Sequence, residues 1–240
     1  MKNQILLLTI LLTTAVSCAQ FGKKVSGNGN VVTQDRNTSD YSEISCAGPF
    51  DYILVSGTEG QLTIEGEENL LKHVITEVKN GTLSVKTENG INLNTSRGKT
   101  IKVTIPFKDI EEVSLAGSGD LYSKDQITAD EFDVNLAGSG DIRLEIVANE
   151  IESHLAGSGD ITLTGKTRDL ELSISGSGDY SCYGLEADNT EVTISGSGDA
   201  QVVSNAYLKV RVSGSGDVTY KGRPAKEDTK ISGSGSVSME

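Results

Sequence analysis

Between Asp141 and Asp160 the chain reads DIRLEIVANEIESHLAGSGD. Ile142, Leu144 and Ile146 alternate with Arg143 and Glu145. Val147-Ala148-Asn149-Glu150 breaks the alternation, and Ile151, Ser153 and Leu155 resume it against Glu152 and His154. A period of two marks a strand with one buried face. The stretch predicts two strands joined by a bend, apolar on the same side, closed by Gly-Ser-Gly-Asp. Its neighbours agree: Ile161 and Leu163, then Leu170, Leu172 and Ile174; Ala200 and Val202, then Leu208, Val210 and Val212. No helical spacing runs long enough to compete.

The closing motif recurs as LAGSGD at 115–120, 136–141 and 155–160, as ISGSGD at 174–179 and 194–199, as VSGSGD at 212–217 and as ISGSGS at 231–236. Its Asp residues follow one another at intervals of 21, 19, 19, 20 and 18, and Ser236 comes 19 later. A fixed period near twenty predicts a solenoid, because one such repeat cannot bury its apolar face alone and stacked copies can. Parallel stacking about 4.8 Å apart would satisfy the strand hydrogen bonds. The expected fold is therefore all-β, a parallel β-solenoid of about 19–21-residue coils, right-handed by the usual chirality of parallel crossovers. Glycine turns a tight corner without steric penalty. The Asp that follows precedes an inward residue, so it points outward, where it is expected to accept a nearby backbone N–H in an Asx-type turn.

The N-terminal part follows the same plan less regularly. Ser45-Cys46-Ala47-Gly48-Pro49-Phe50-Asp51 aligns with Ser114 to Asp120, and Val25-Ser26-Gly27-Asn28-Gly29-Asn30-Val31 fits the corner with Asn in place of Ser and Asp. Glu67–His73 reads as one helical turn, Asn80-Gly81 as a type I′ hairpin turn, and Lys99–Pro106 as a further strand. This part is expected to cap one end of the array, since an open end exposes pairing edges. The boundaries read 1–17 leader, 18–40 tether and irregular first strand, 41–107 β-rich cap, and 108–240 solenoid.

The tandem S-G-[SA]-G-D copies, YSEISCAGPFDYILVSG, ENLLKHVITEVKNGTLSVKT and the terminal YKGRPAKEDTKISGSGSV together resemble one family, the autotransporter adhesin head GIN domain. The resemblance covers about residues 40–240. It implies a β-helix-like, secreted bacterial protein of unassigned function, and its name suggests adhesion.

Lys2, the apolar run Ile5–Val16 and Ala15-Val16-Ser17-Cys18 have the order of a lipoprotein signal peptide, in which Cys18 becomes the lipid-carrying first residue. An ordinary signal peptide with Cys18 incidental is the alternative. The run is too short to span a bilayer. The net charge is −13, and removal of residues 1–17 takes away Lys2, so −13 − 1 = −14. Such a chain is repelled by nucleic acid and by anionic lipid. Cys46 and Cys182 both fall on inward positions of distant coils, too far apart for a disulfide, so two buried free thiols are expected.

Stacking would align Asp120, Asp141, Asp160, Asp179, Asp199 and Asp217 in a row. Two full charges about 4.8 Å apart repel by roughly 0.9 kcal/mol even at the dielectric of water. Calcium would relieve this, but it takes about six to eight oxygens and a single row offers about one carboxylate per site. A structural role is expected instead, with no metal and no cofactor. The corner serines lack a patterned base, the only histidines being His73 and His154, and no catalytic set stands out. Asp133, Glu152 and Glu171 read as an outward, solubilising face.

These readings point to a non-enzymatic, lipid-anchored cell-envelope β-solenoid, adhesin-like or scaffolding, facing the periplasm or the cell surface. Its partner would be a protein or glycan ligand, with membrane contact through the lipid only and no nucleic acid. The alternatives are a glycan-active β-helix enzyme, which would need one non-repeating cluster in a groove, and a purely structural envelope protein.

Overall fold

The computed structural model describes residues 22–240. The leader 1–17 and Cys18 lie outside the described residues.

The repeat builds stacked parallel coils, each with two sheet-forming strands. In one sheet the inward residue that ends each strand's alternation forms a single column: Val85, Cys46, Leu115, Leu136, Leu155, Ile174, Ile194, Val212 and Ile231 are successive in-register neighbours, and from Cys46 on each precedes the small corner residue. The opposite sheet carries a second column: Val103, Tyr52, Leu121, Ile142, Ile161, Tyr180, Ala200, Val218 and Val237. Between the columns lies one continuous apolar core. One polar intrusion is satisfied within it, whereas the buried hydroxyl of Tyr52 has no hydrogen-bond partner among the described residues. Ser153, fully buried, donates to the carbonyl of Val134 and accepts the hydroxyl of Tyr180 at 2.8 Å.

Unequal repeat lengths are absorbed at defined places. In the coil from Asp179 to Asp199, Thr162 pairs with Ser181 but Thr164 pairs with Gly184, so one extra residue is taken up as a bulge. In the coil after Asp120, the surplus forms a loop between the strands Leu121–Ser123 and Ile127–Thr128.

At the N-terminal end, stacking order departs from chain order. The strands Glu43–Ala47 and Asp51–Ser56 form a coil directly against Glu112–Gly117 and Leu121–Ser123. The chain then leaves to build the outer layer, Thr82–Thr87 and Lys102–Phe107, before returning to the regular array. That outer layer is flanked by antiparallel strands: Val74–Lys79 on Thr82–Thr87, and Gln61–Glu67 on Lys102–Phe107 and on Val31–Asn37. Antiparallel pairing ends the parallel stack here, as a cap must. The helical turn is Glu68–Leu71, buried through Leu70 and Leu71. The hairpin has φ of 53° at Asn80 and 86° at Gly81, as a type I′ turn requires.

One segment differs from its sequence reading. Val25–Val31 is not a corner of the stack. Lys23–Ser26 pairs with Ile91–Asn94 in a separate two-stranded sheet. Its glycines serve a different purpose: they wrap the buried carboxylate of Glu67. The N–H of Gly29 donates to that carboxylate at 2.6 Å, and a Cβ on Gly27 would lie 2.0 Å from its other oxygen. Ser96 donates to it through both its N–H, at 2.7 Å, and its hydroxyl, at 2.6 Å.

Cys46 and Cys182 are buried and free, one in each sheet. Burial pushes the Cys182 thiol up to about 12 and raises that of Cys46 well above its ordinary value. Among the described residues no helix is long and apolar enough to cross a membrane.

Candidate functional site

The repeated corner is held by bonds between coils. The N–H of Ser158 donates to the carbonyl of Gly138, that of Ser177 to Gly157, and that of Ser197 to Gly176, at 2.8–2.9 Å. The Asp row continues this connection through side chains. Asp120 accepts the N–H of Asp141 at 3.1 Å, Asp141 that of Asp160 at 3.2 Å, and Asp160 that of Asp179 at 3.0 Å. Asp179 accepts from Asp199, Asp199 from Asp217 and Asp217 from Ser236, each at 2.7 Å. The carboxylates do point outward. The bond each makes is not the local Asx turn expected from sequence: it runs along the solenoid axis to the next coil.

Both corner glycines face the coil beneath, where a Cβ would meet a carbonyl oxygen, and the first carries a second constraint. The first has positive φ, 142° at Gly138 and 135° at Gly157. The second, at Gly140 and Gly159, has no such φ, and a Cβ on Gly159 would stand 1.9 Å from the carbonyl oxygen of Gly140. Chemistry at the corner is correspondingly poor. Among the described residues no three His, Cys, Asp or Glu side chains converge to hold a metal ion.

The adjacent sheet carries a feature that sequence reading saw only in pieces. Asp133, Glu152 and Glu171 belong to one in-register row with Glu43, Glu112 and Glu191. A second row, Glu131, Glu150 and Asp169, runs beside it. Stacking turns a residue type recurring at the repeat period into a line of like charge. The row ends where Lys209 takes the next position and pairs with Glu191 at 2.5 Å. Partial burial, then the charges of Glu152 and Glu112, raise the pKa of Asp133. A shallow cleft of about 360 Å³ is lined by Glu111, Asp130, Glu131 and Asp133. A smaller one of about 150 Å³ includes Glu150, Asp169, Glu171, Glu191 and Tyr207.

The histidines are engaged with carboxylates, His73 with Glu88 at 2.6 Å and His154 with Glu152 at 2.9 Å. Ser173 is the in-register neighbour of His154, but the hydrogen bonds found among the described residues include none between them. The carboxylates here are ordered by the repeat.

The sequence matches the family described as "Putative auto-transporter adhesin, head GIN domain" over residues 40–224. It matches none of the curated proteins compared with it. Among solved structures, a putative adhesin from Bacteroides fragilis is similar at TM-score 0.83 and 21% identity, covering 90% of this chain and 100% of that one. A putative lipid binding protein from Parabacteroides distasonis is similar at TM-score 0.73 and 27% identity, covering 91% of this chain and 100% of that one. A putative adhesin from Parabacteroides merdae follows at 0.64 and 22%, covering 90% of this chain and 99% of that one.

Proposed function

The chain belongs to the auto-transporter adhesin head GIN domain family, and from that premise we propose that it is a lipid-anchored envelope protein whose solenoid is a rigid, non-enzymatic binding surface. The observation that carries this reading is the in-register acidic row Glu112, Asp133, Glu152, Glu171 and Glu191 on the outer face of one sheet. Its side chains are held at fixed spacing by the stack, so the face reaches a protein or glycan partner already ordered. A charge pattern repeated coil after coil suits an extended ligand better than a single bond to be cleaved. The anchor is the lipid on Cys18, after the leader 1–17. The lipid-binding description of a neighbour with the same fold supports placement at a membrane.

Photo-crosslinking in the native envelope tests the reading. A crosslinker placed at Glu171 should capture a defined partner, whereas one on the opposite sheet at Thr162 should not. Cys18→Ala should move the protein out of the membrane fraction. Release of reducing ends from glycans by the purified chain, lost on neutralising the acidic row, would favour the enzyme instead.

A further inference from the structure

We infer that the protein stands end-on at the membrane, with the small sheet formed by Lys23–Ser26 and Ile91–Asn94 against anionic headgroups and the last coil farthest away. This rests on the lipid at Cys18. Three residues, 19–21, separate that cysteine from Gly22, and four chain steps span at most about 14 Å. Lengthening of the tether by peeling is opposed, because the chain is paired from its next residue onward. The N–H of Lys23 donates to the carbonyl of Gly90 at 2.7 Å, four register pairs follow, and the N–H of Gly27 donates to Asn94 at 2.9 Å. The near end of the small sheet therefore stays within about 14 Å of the lipidated residue.

The chemistry of this end fits such a surface. The whole chain is acidic, yet residues 19–34 and 89–108, which include both strands of the small sheet, contain no Asp or Glu. Lys23 and Lys24 are exposed on one strand, and Arg97 is exposed in the segment after the other. Lys99 donates to the carbonyl of Gly29 beside them. The nearby acids are already engaged: Glu67 by Gly29 and Ser96, Glu68 by Asn30, and Glu88 by His73. Basic residues scattered over more than seventy positions are brought to one end, and this local charge reverses the repulsion that the net charge alone would give an anionic membrane. Anchored there, the acidic row extends away from the bilayer.

The test uses the full-length, lipidated protein in phosphatidylcholine vesicles with and without phosphatidylglycerol. A fluorophore is attached at Asn92→Cys or at Ser238→Cys, both exposed, the native Cys46 and Cys182 being buried. A headgroup-linked quencher should suppress the Asn92→Cys signal several-fold more than the Ser238→Cys signal. Inserting about twenty Gly/Ser residues after Ala19 should release most of that quenching on neutral vesicles but less on anionic ones. Lys23→Glu with Lys24→Glu in the same background should abolish the difference. Equal quenching at the two positions with the native tether overturns the orientation, and indifference to vesicle charge and to the lysine changes overturns the basic surface. Mass analysis of the N-terminal peptide reads the anchor separately. An unacylated terminus removes the anchor and this inference with it, whereas an acylated Cys18 with equal quenching refutes the orientation alone.

Discussion

The carboxylate of Asp160 accepts the backbone N–H of Asp179, 3.0 Å away and one coil further along the solenoid. The bond replaces a strand hydrogen bond at the point where the corner takes the backbone out of the sheet. It also explains how a row of acids is tolerated at coil spacing, since each negative charge meets a peptide N–H. Asp160→Ala should lower stability by about 1 kcal/mol, the usual net value of a hydrogen bond that water can partly replace. Asp160→Asn keeps the acceptor and removes a charge, so its thermal midpoint should equal or exceed that of the parent. Equal losses for both variants would show that the charge, not the acceptor, matters.

Gly159 is the test of the inter-coil contact. Its Cβ would stand 1.9 Å from the carbonyl oxygen of Gly140, a backbone atom that cannot move aside. Gly159→Ala should cost more than about 3 kcal/mol, at the upper end for overpacking. Gly98 makes the comparison: its φ is +74° and nothing lies within 4 Å of a Cβ there. Gly98→Ala should cost only about 1 kcal/mol, from backbone conformation alone. Denaturant midpoints of the two variants give the contrast.

Asp133 stands between Glu112 and Glu152 in the acidic row. Removing its charge should stabilise the fold by up to about 1 kcal/mol at low ionic strength, less in 0.5 M salt as screening takes over. The pH dependence has a definite sign. Its folded pKa is raised, so protonation favours the folded state and the parent gains stability as pH falls through that raised value. The advantage of Asp133→Asn should be present at pH 7 and vanish on acidification below the carboxylate range.

Glu67 has the opposite sign. The hydroxyl and N–H of Ser96 lead in holding its pKa below the ordinary carboxylate value, with the N–H of Gly29 and Lys99 adding to the effect. Its contribution is complete above the unfolded-state value and is lost as pH falls through the lowered one. Glu67→Gln presents one acceptor oxygen to three donors, so it should lower the midpoint by a few degrees at pH 7. The deficit should narrow in acid. Hydrogen exchange should place the loosening at Gly29 and Ser96.

The alternation around Ile142–Ile146 and Ile151–Leu155 and the regular motif spacing made the solenoid legible, because each coil repeats one local rule. Register also placed Cys46 and Cys182 inside and apart. Three features were not visible. The partner of each Asp lies 18 to 21 residues away, a distance at which local turn chemistry says nothing. Gly27 and Gly29 look like corner glycines but pack on a carboxylate thirty-eight or more positions later, so a similar spelling serves another contact. The coil at 43–56 stacks between two later layers, an order that only the pairing of Cys46 with both Val85 and Leu115 reveals. The acidic row was legible residue by residue, but its continuity required the register of every coil.

The most direct measurement is on the chain carrying Asp→Asn at all six positions, Asp120, Asp141, Asp160, Asp179, Asp199 and Asp217. Thermal unfolding and calcium titration are followed on this variant and on the parent. If the row is an inter-coil hydrogen-bond device, the variant keeps its β circular dichroism and an equal or higher midpoint, and neither protein binds calcium more tightly than about millimolar, the weak end of extracellular sites. Loss of the fold on neutralisation, or a stoichiometric micromolar calcium site in the parent that the variant lacks, contradicts it.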